Sequence, residues 1–231
     1  MQKTALVVGA SGIGGRNLAV ELMDKGWTVY GLARRSLEDF SGLRAVAADL
    51  LDPASLDKAL ADVSSSHVFI TPWMRQATEA KNIRVNGAMV RNLLAALAPK
   101  KSVSHVSLVT GLKHYLGPFV AYASAGTLPE TPLREEQPRL AIENFYYEQE
   151  DEVFAAAARH GFSWNVRRPH TVIGKAVGNA MKMGKTLAVY ASICKEKGRP
   201  FQCHGSAAQW QGLPDGTIRP LENEMAGDDA L

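Results

Sequence analysis

The apolar run Ala5-Leu-Val-Val8 leads straight into the glycine-rich segment Gly9-Ala-Ser-Gly12-Ile-Gly-Gly15, after which apolar residues recur at Leu18, Ala19, Leu22 and Met23. The run reads as a strand buried on both faces, and such strands belong to parallel sheets. The spacing that follows reads as a helix from Gly14 to Lys25, closed by Gly26 as a C-cap glycine. Each glycine of the turn has a physical reason: Gly9 for a tight bend, Gly12 for close approach of backbone to a pyrophosphate, Gly15 for packing helix on strand. Unpaired N–H groups at a helix start, together with the helix dipole, attract an anion, with Ser11 and Ile13 beside it. A glycine-rich turn alone is a weak signal, but at a first strand-to-helix junction it points to a dinucleotide rather than a structural turn.

The alternation continues through Thr28 to Gly31 (strand), Arg44 to Ala47 (strand), Pro53 to Ala61 (helix), His67 to Ile70 (strand), Glu79 to Leu97 (helix) and Val103 to Val109 (strand). This order predicts a doubly wound α/β parallel sheet, with ligands outside the carboxyl ends of the strands. After Gly111 the pattern gives way to a loop, then resumes with a helix over Phe145 to His160 and a strand from Ser163 to Arg168.

A net charge of +3 spread over 231 residues argues against a nucleic-acid or membrane-surface partner and for a small molecule. Cys194 and Cys203 form neither a metal-ligand pair nor a disulfide framework, so no metal is expected and a reduced, cytoplasmic chain is the default. No apolar run approaches a membrane span, and the first apolar run is too short for a signal peptide, so the mature chain is expected to begin near Met1. The one protein partner this reading leaves open is a second copy of the chain, as a homodimer.

The second strand ends in Ala33-Arg34-Arg35-Ser36, where an NAD-preferring site usually carries an acid for the ribose 2′-OH. Two guanidinium forks and a hydroxyl suit a 2′-phosphate instead, which predicts NADP(H). Asp49-Leu50, after the third strand, is expected near the adenine or as a plain capping Asp. Short-chain dehydrogenases usually set a catalytic Tyr four residues before a Lys, so that the ammonium lowers the phenol pKa. None of the tyrosines here is followed by Lys at that spacing.

Thr110-Gly-Leu-Lys113-His-Tyr-Leu-Gly-Pro-Phe119 and Asn144-Phe-Tyr146-Tyr147-Glu-Gln-Glu150-Asp151 resemble the two signature segments of the progesterone 5-beta-reductase and iridoid synthase-like enone reductases, an atypical branch of the extended short-chain dehydrogenases. The resemblance includes the glycine turn, Ala33-Arg34-Arg35, Thr71-Pro72-Trp73, Arg168-Pro169-His170-Thr171-Val172-Ile173-Gly174 and Tyr190-Ala-Ser-Ile-Cys194-Lys. It implies a Rossmann fold, a catalytic Lys113 and a catalytic Tyr146 on separate segments, and NADP(H) held by Gly9, Ser11, Gly12, Ile13, Gly15, Arg34, Arg35, Ser36, Asp49, Leu50, Thr71, Trp73, Thr110, Lys113, Tyr146, Pro169 and Ile173. The implied reaction is 1,4-addition of hydride to an α,β-unsaturated carbonyl, with the Tyr146 phenol stabilising the enolate.

Phe119, Tyr147 and Met181 are candidate substrate contacts, each with an ordinary packing role as the alternative. Glu150 and Asp151 read as helix-face charges that are solvated or serve the helix N-terminal dipole, and His170 as an accommodated histidine, with a substrate-pocket donor as the alternative. Residues 1–174 are expected to form the cofactor domain with the catalytic pair. Residues 175–231 are expected to form a small substrate-covering region, with a Met-rich helix from Asn179 to Lys195 and a polar tail after Trp210 that departs from the family and suggests truncation. Two other readings stay open: a carbonyl dehydrogenase or nucleotide-sugar epimerase, which would want the absent Tyr-xxx-Lys motif, and a non-catalytic NADP sensor.

Overall fold

The computed structural model describes residues 3–35, 37, 40–118, 132–170, 172, 174–175 and 183–202. Six parallel strands form one sheet in the order β3-β2-β1-β4-β5-β6. They are β1 (Thr4–Val8), β2 (Thr28–Ala33), β3 (Arg44–Ala47), β4 (His67–Ile70), β5 (His105–Val109) and β6 (Ser163–Arg167). The helices are α1 (Ile13–Asp24), α2 (Pro53–Leu60), α3 (Glu79–Leu97), α4 (Lys113–Leu116), α5 (Phe145–His160) and α6 (Met183–Glu196).

Period-two alternation splits the strands between two apolar layers. Ala5 and Val7 of β1 with Phe69 of β4 pack on Leu18, Ala19 and Leu22 of α1. Leu6, Val8, Val68, Ile70, Val106 and Leu108 face the other layer, filled by Leu56 and Leu60 of α2, Met89, Val90, Leu93, Leu94 and Leu97 of α3, and Val153 and Ala156 of α5. Right-handed crossovers running in opposite directions from the sheet centre must pass on opposite faces. The chain order therefore reverses between β1 and β4, and the crevice for a ligand opens at their carboxyl ends.

Several boundaries differ from expectation. β2 runs two residues further, to Ala33, because Leu32 and Ala33 pair with Val46 and Ala47 of β3. β5 starts at His105, opposite His67, because Ser104 turns back through its own N–H and hydroxyl to the Ser66 carbonyl. β6 stops at Arg167, where pairing with Val109 ends, leaving Arg168 and Pro169 past the sheet. The loop expected after Gly111 begins with one helical turn, α4, which Gly117 closes at φ 74°.

Candidate active site

Gly9 sits at φ +83°, and a Cβ there would meet the Thr71 hydroxyl at 2.7 Å and the Pro72 ring at 3.1 Å. Its N–H bonds the Leu32 carbonyl at 2.8 Å, so the bend is welded to the end of β2. A Cβ on Gly15 would overlap the Gly9 carbonyl, which is the close helix-on-strand packing that the sequence predicts. Gly12 is the N-cap of α1 and offers no side chain to the first-turn N–H groups, so they remain available to an anion. Thr71 is fastened here by its hydroxyl, which donates to the Val8 carbonyl at 2.7 Å.

Beside this turn an open cleft is lined by Gly9, Ser11, Leu32, Ala33, Arg34, Ala48, Asp49, Leu50, Pro72, Trp73, Met74 and Met89. Six residues expected to hold a cofactor thus meet in one crevice. Asp49 does not cap α2; its carboxylate accepts from the Leu51 N–H at 2.9 Å in a local turn, and Asp52 caps the helix. Arg35 is exposed next to Arg34 and is not part of the cleft wall. Crowding at Gly9 and Gly15, the uncapped helix start and the cationic rim fit an extended dinucleotide.

Tyr146 lies in the first turn of α5 and is 7% exposed. Its hydroxyl lies 3.4 Å from where a Cβ on Gly111 would stand, and that point is 3.6 Å from the Pro169 carbonyl. The phenol therefore comes to the segments that follow β5 and β6. Lys113 starts α4, and its ammonium sits 4.5 Å from the Phe145 ring centroid and 5.4 Å from that of Trp73. These two rings stack at 5.3 Å, so Trp73 at the cleft wall connects with the start of α5.

Asn144, 3% exposed, joins the two candidate catalytic segments: its Oδ1 accepts from the Tyr146 N–H at 3.1 Å while its Nδ2 donates to the Lys113 carbonyl at 2.7 Å. On α3, Asn86 grips Met74 through both backbone groups, and Asn82 accepts from the Gln76 N–H at 2.7 Å. These side chains, missed in the sequence, fix the loop that carries Trp73. The signal was there: Asn82 and Asn86 lie four apart in the apolar stripe of α3, where a polar residue needs a buried partner.

The electrostatics differ from expectation. The Tyr146 phenol is pushed up to about 12, first by burial and then by the Glu79 carboxylate, so the expected lowering by an ammonium is not seen. Lys113 is held below the ordinary ammonium range by burial, with Glu79 opposing and Arg75 adding to that shift. Tyr147 faces elsewhere: its hydroxyl donates to the His114 carbonyl at 2.7 Å and accepts from the Leu140 N–H at 3.0 Å. Both its polar functions are used inside the protein.

Glu150 is not a solvated charge. It is 1% exposed and pairs with Arg139 at 2.7 Å and Arg168 at 3.3 Å, while Arg139 also reaches the exposed Asp151 at 2.8 Å. This network ties the approach to α5 and the end of β6 to the helix carrying Tyr146. Thr110 is buried and its N–H bonds the Arg167 carbonyl at 2.8 Å, closing the same corner. Ser36, Phe119, Ile173 and Met181 lie outside the described residues, as does the tail. Among the described residues no group of three or more His, Cys, Asp or Glu is placed to hold a metal, and no helix is long and apolar enough to cross a membrane.

The model of the NAD dependent epimerase/dehydratase family matches residues 5–211. The chain belongs to that family. This epimerase/dehydratase-family chain is 36% identical to a (S)-8-oxocitronellyl enol synthase of Nepeta cataria, over 93% of its own length and 58% of that protein. It is 37% identical to a 3-oxo-Delta(4,5)-steroid 5-beta-reductase of Arabidopsis thaliana, over 92% of its length and 57% of the relative. The resemblance read from the two signature segments is borne out. The chain spans a little over half the length of these curated relatives. Among solved structures, UDP-glucose 4-epimerase from Brucella ovis in complex with NAD superposes with a TM-score of 0.64 at 16% identity, covering 83% of this chain and 62% of that one. The corresponding enzyme of Thermus thermophilus, also with NAD, gives 0.63 at 20%, covering 86% and 64%. At such identity these likenesses show the Rossmann-like fold alone.

Proposed function

We propose that this protein is an NADPH-dependent reductase of the C=C bond of α,β-unsaturated carbonyls. The observation that carries the reading is the buried Tyr146 phenol beside Gly111 and Pro169, on a helix whose cap residue also holds Lys113. Residues 1–174 form the cofactor and catalytic unit in this reading. The chain from residue 175, where Asn17 of α1 bonds both backbone groups of Lys175 at 3.2 and 3.3 Å, begins the region that covers the substrate.

Arg34, just past β2 on the cleft wall, supports a 2′-phosphate, because a guanidinium stands at the strand end where an NAD-preferring site usually carries a carboxylate. Held in this crevice by the glycine turn and Arg34, NADPH would supply the hydride. As the substrate's β-carbon is reduced, charge builds on its carbonyl oxygen. Tyr146, neutral because burial and Glu79 hold its proton, donates a hydrogen bond to that oxygen and stabilises the enolate. Lys113 contributes positive charge and a donor near the cofactor ribose. Trp73 and Phe145 keep the ammonium desolvated through their ring faces.

The test is turnover of 2-cyclohexen-1-one with NADPH, followed by the fall in cofactor absorbance and by identification of the product. Cyclohexanone is expected. 2-Cyclohexen-1-ol would assign carbonyl reduction, and tight NADPH binding without turnover would assign a cofactor-binding role; either result overturns the proposal.

A further inference from the structure

We propose that Glu79 is the positioning residue of this site: from the first turn of α3 it anchors the start of α5 and sets a single negative charge before both Lys113 and Tyr146. The inference rests on the catalytic reading of those two groups. At the first position of a helix capped by Thr78, an acid would ordinarily serve its own helix dipole. Here the carboxylate is engaged across the fold. Its Oε1 accepts from the Phe145 N–H at 2.8 Å, an orphan donor at the start of α5, and its Oε2 accepts from Asn82 Nδ2 at 3.0 Å. Asn82 holds Gln76, and Asn144 continues the chain of contacts from Tyr146 to Lys113. Glu79 thereby connects the Trp73 loop with the helix that presents the phenol.

Such a tie answers a need that the sequence creates. When Tyr and Lys lie one turn apart on one helix, the helix itself aligns them; here they are 33 residues apart on α5 and α4. Cross-links must replace the helix, since a displacement of about 1 Å at a reacting group can cost on the order of a hundredfold in rate. The charge has a second effect. Glu79 opposes loss of the proton from both Tyr146 and Lys113, while Arg75, in the loop ahead of α3, pulls the other way on Lys113.

Two readouts test this, one of them free of turnover. In the cofactor-free protein, tyrosinate absorbance is titrated in wild type and Glu79→Gln, each with and without Tyr146→Phe, so that the difference isolates Tyr146. Its ionisation is expected at lower pH in Glu79→Gln; an unmoved titration overturns the proposal even if the wild type reduces no enone. In turnover, Glu79→Ala is expected to lose about tenfold or more in kcat with the KM for NADPH little changed. Glu79→Gln, which keeps an acceptor for the Phe145 N–H, should retain more activity and fold if the alanine variant does not. Arg91→Ala removes the ion pairs to Glu148 and Glu152 at the same α3–α5 contact and should leave kcat near wild type. An equal loss in Arg91→Ala would make the Glu79 effect one of helix packing and sink the assignment.

Discussion

In the proposed mechanism Tyr146 acts as a donor, which requires that it stay protonated. With the phenol pushed up to about 12 and Lys113 held below the ordinary ammonium range, raising the pH strips Lys113 first. The alkaline fall of kcat is therefore expected to belong to Lys113 and to vanish in Lys113→Met, measured as residual turnover across the alkaline range. Tyr146→Phe should lower kcat by about a hundredfold or more, the scale of a lost general acid, while NADPH binding measured by fluorescence stays within a few-fold. At the cleft rim, Arg34→Ser should weaken NADPH by roughly tenfold or more, since a hydrogen bond to a charged group contributes about 1.5–3 kcal/mol, and should leave NADH nearly unaffected. The ratio of the two KM values reads this directly. The glycine turn was legible at this scale because its requirements are local: a positive φ at Gly9 and no room beside Gly15. Glu79 and Asn144 were not, because a helix-start acid and a helix-cap Asn look alike whether they serve their own helix or another.

The elements are held by contacts of unequal visibility. Gly87 of α3 lies so close to Glu148 that a Cβ would meet its Cγ at 2.5 Å, which brings α3 and α5 into intimate packing. Apolar spacing announced both helices, yet nothing in it showed that Glu150 would be enclosed by Arg139 and Arg168, which come from the loop before α5 and from beyond β6. Removing the acid takes the buried partner from Arg168 and leaves Arg139 with Asp151 alone, so Glu150→Ala should destabilise the fold by about 1–3 kcal/mol, read from denaturant midpoints. At the opposite end of the sheet, His67 and His105 face each other across β4 and β5. Burial keeps both imidazoles below their usual range, with mutual repulsion and Lys3 adding to the shift at His67 and Arg167 at His105. Because the unfolded chain binds these protons near pH 6.5 and the fold binds them only at lower pH, their stabilising contribution is complete above about 6.5 and is lost as the pH falls. Urea midpoints should drop between pH 7.5 and 5, and His67→Gln should flatten that drop.

For the whole molecule, the topology followed from a few residues. Strands buried on both faces demanded helices on both sides, and the reversal between β1 and β4 placed the crevice where the glycine turn already pointed. Lys113 and Tyr146 did not follow in this way: 33 residues separate them, and only the likeness of whole segments joined them as a proposed catalytic pair, whose two segments Asn144 bonds together in the fold. Substrate contacts at Phe119 and Met181 stay as proposals. The central claim, hydride to the β-carbon rather than to the carbonyl carbon, is tested most directly with NADPH deuterated at the transferable position and 2-cyclohexen-1-one, locating the label in the product by NMR. Deuterium at the former β-carbon of cyclohexanone is the expected result. Deuterium on the carbinol carbon of 2-cyclohexen-1-ol, or no incorporation at all, would contradict the account.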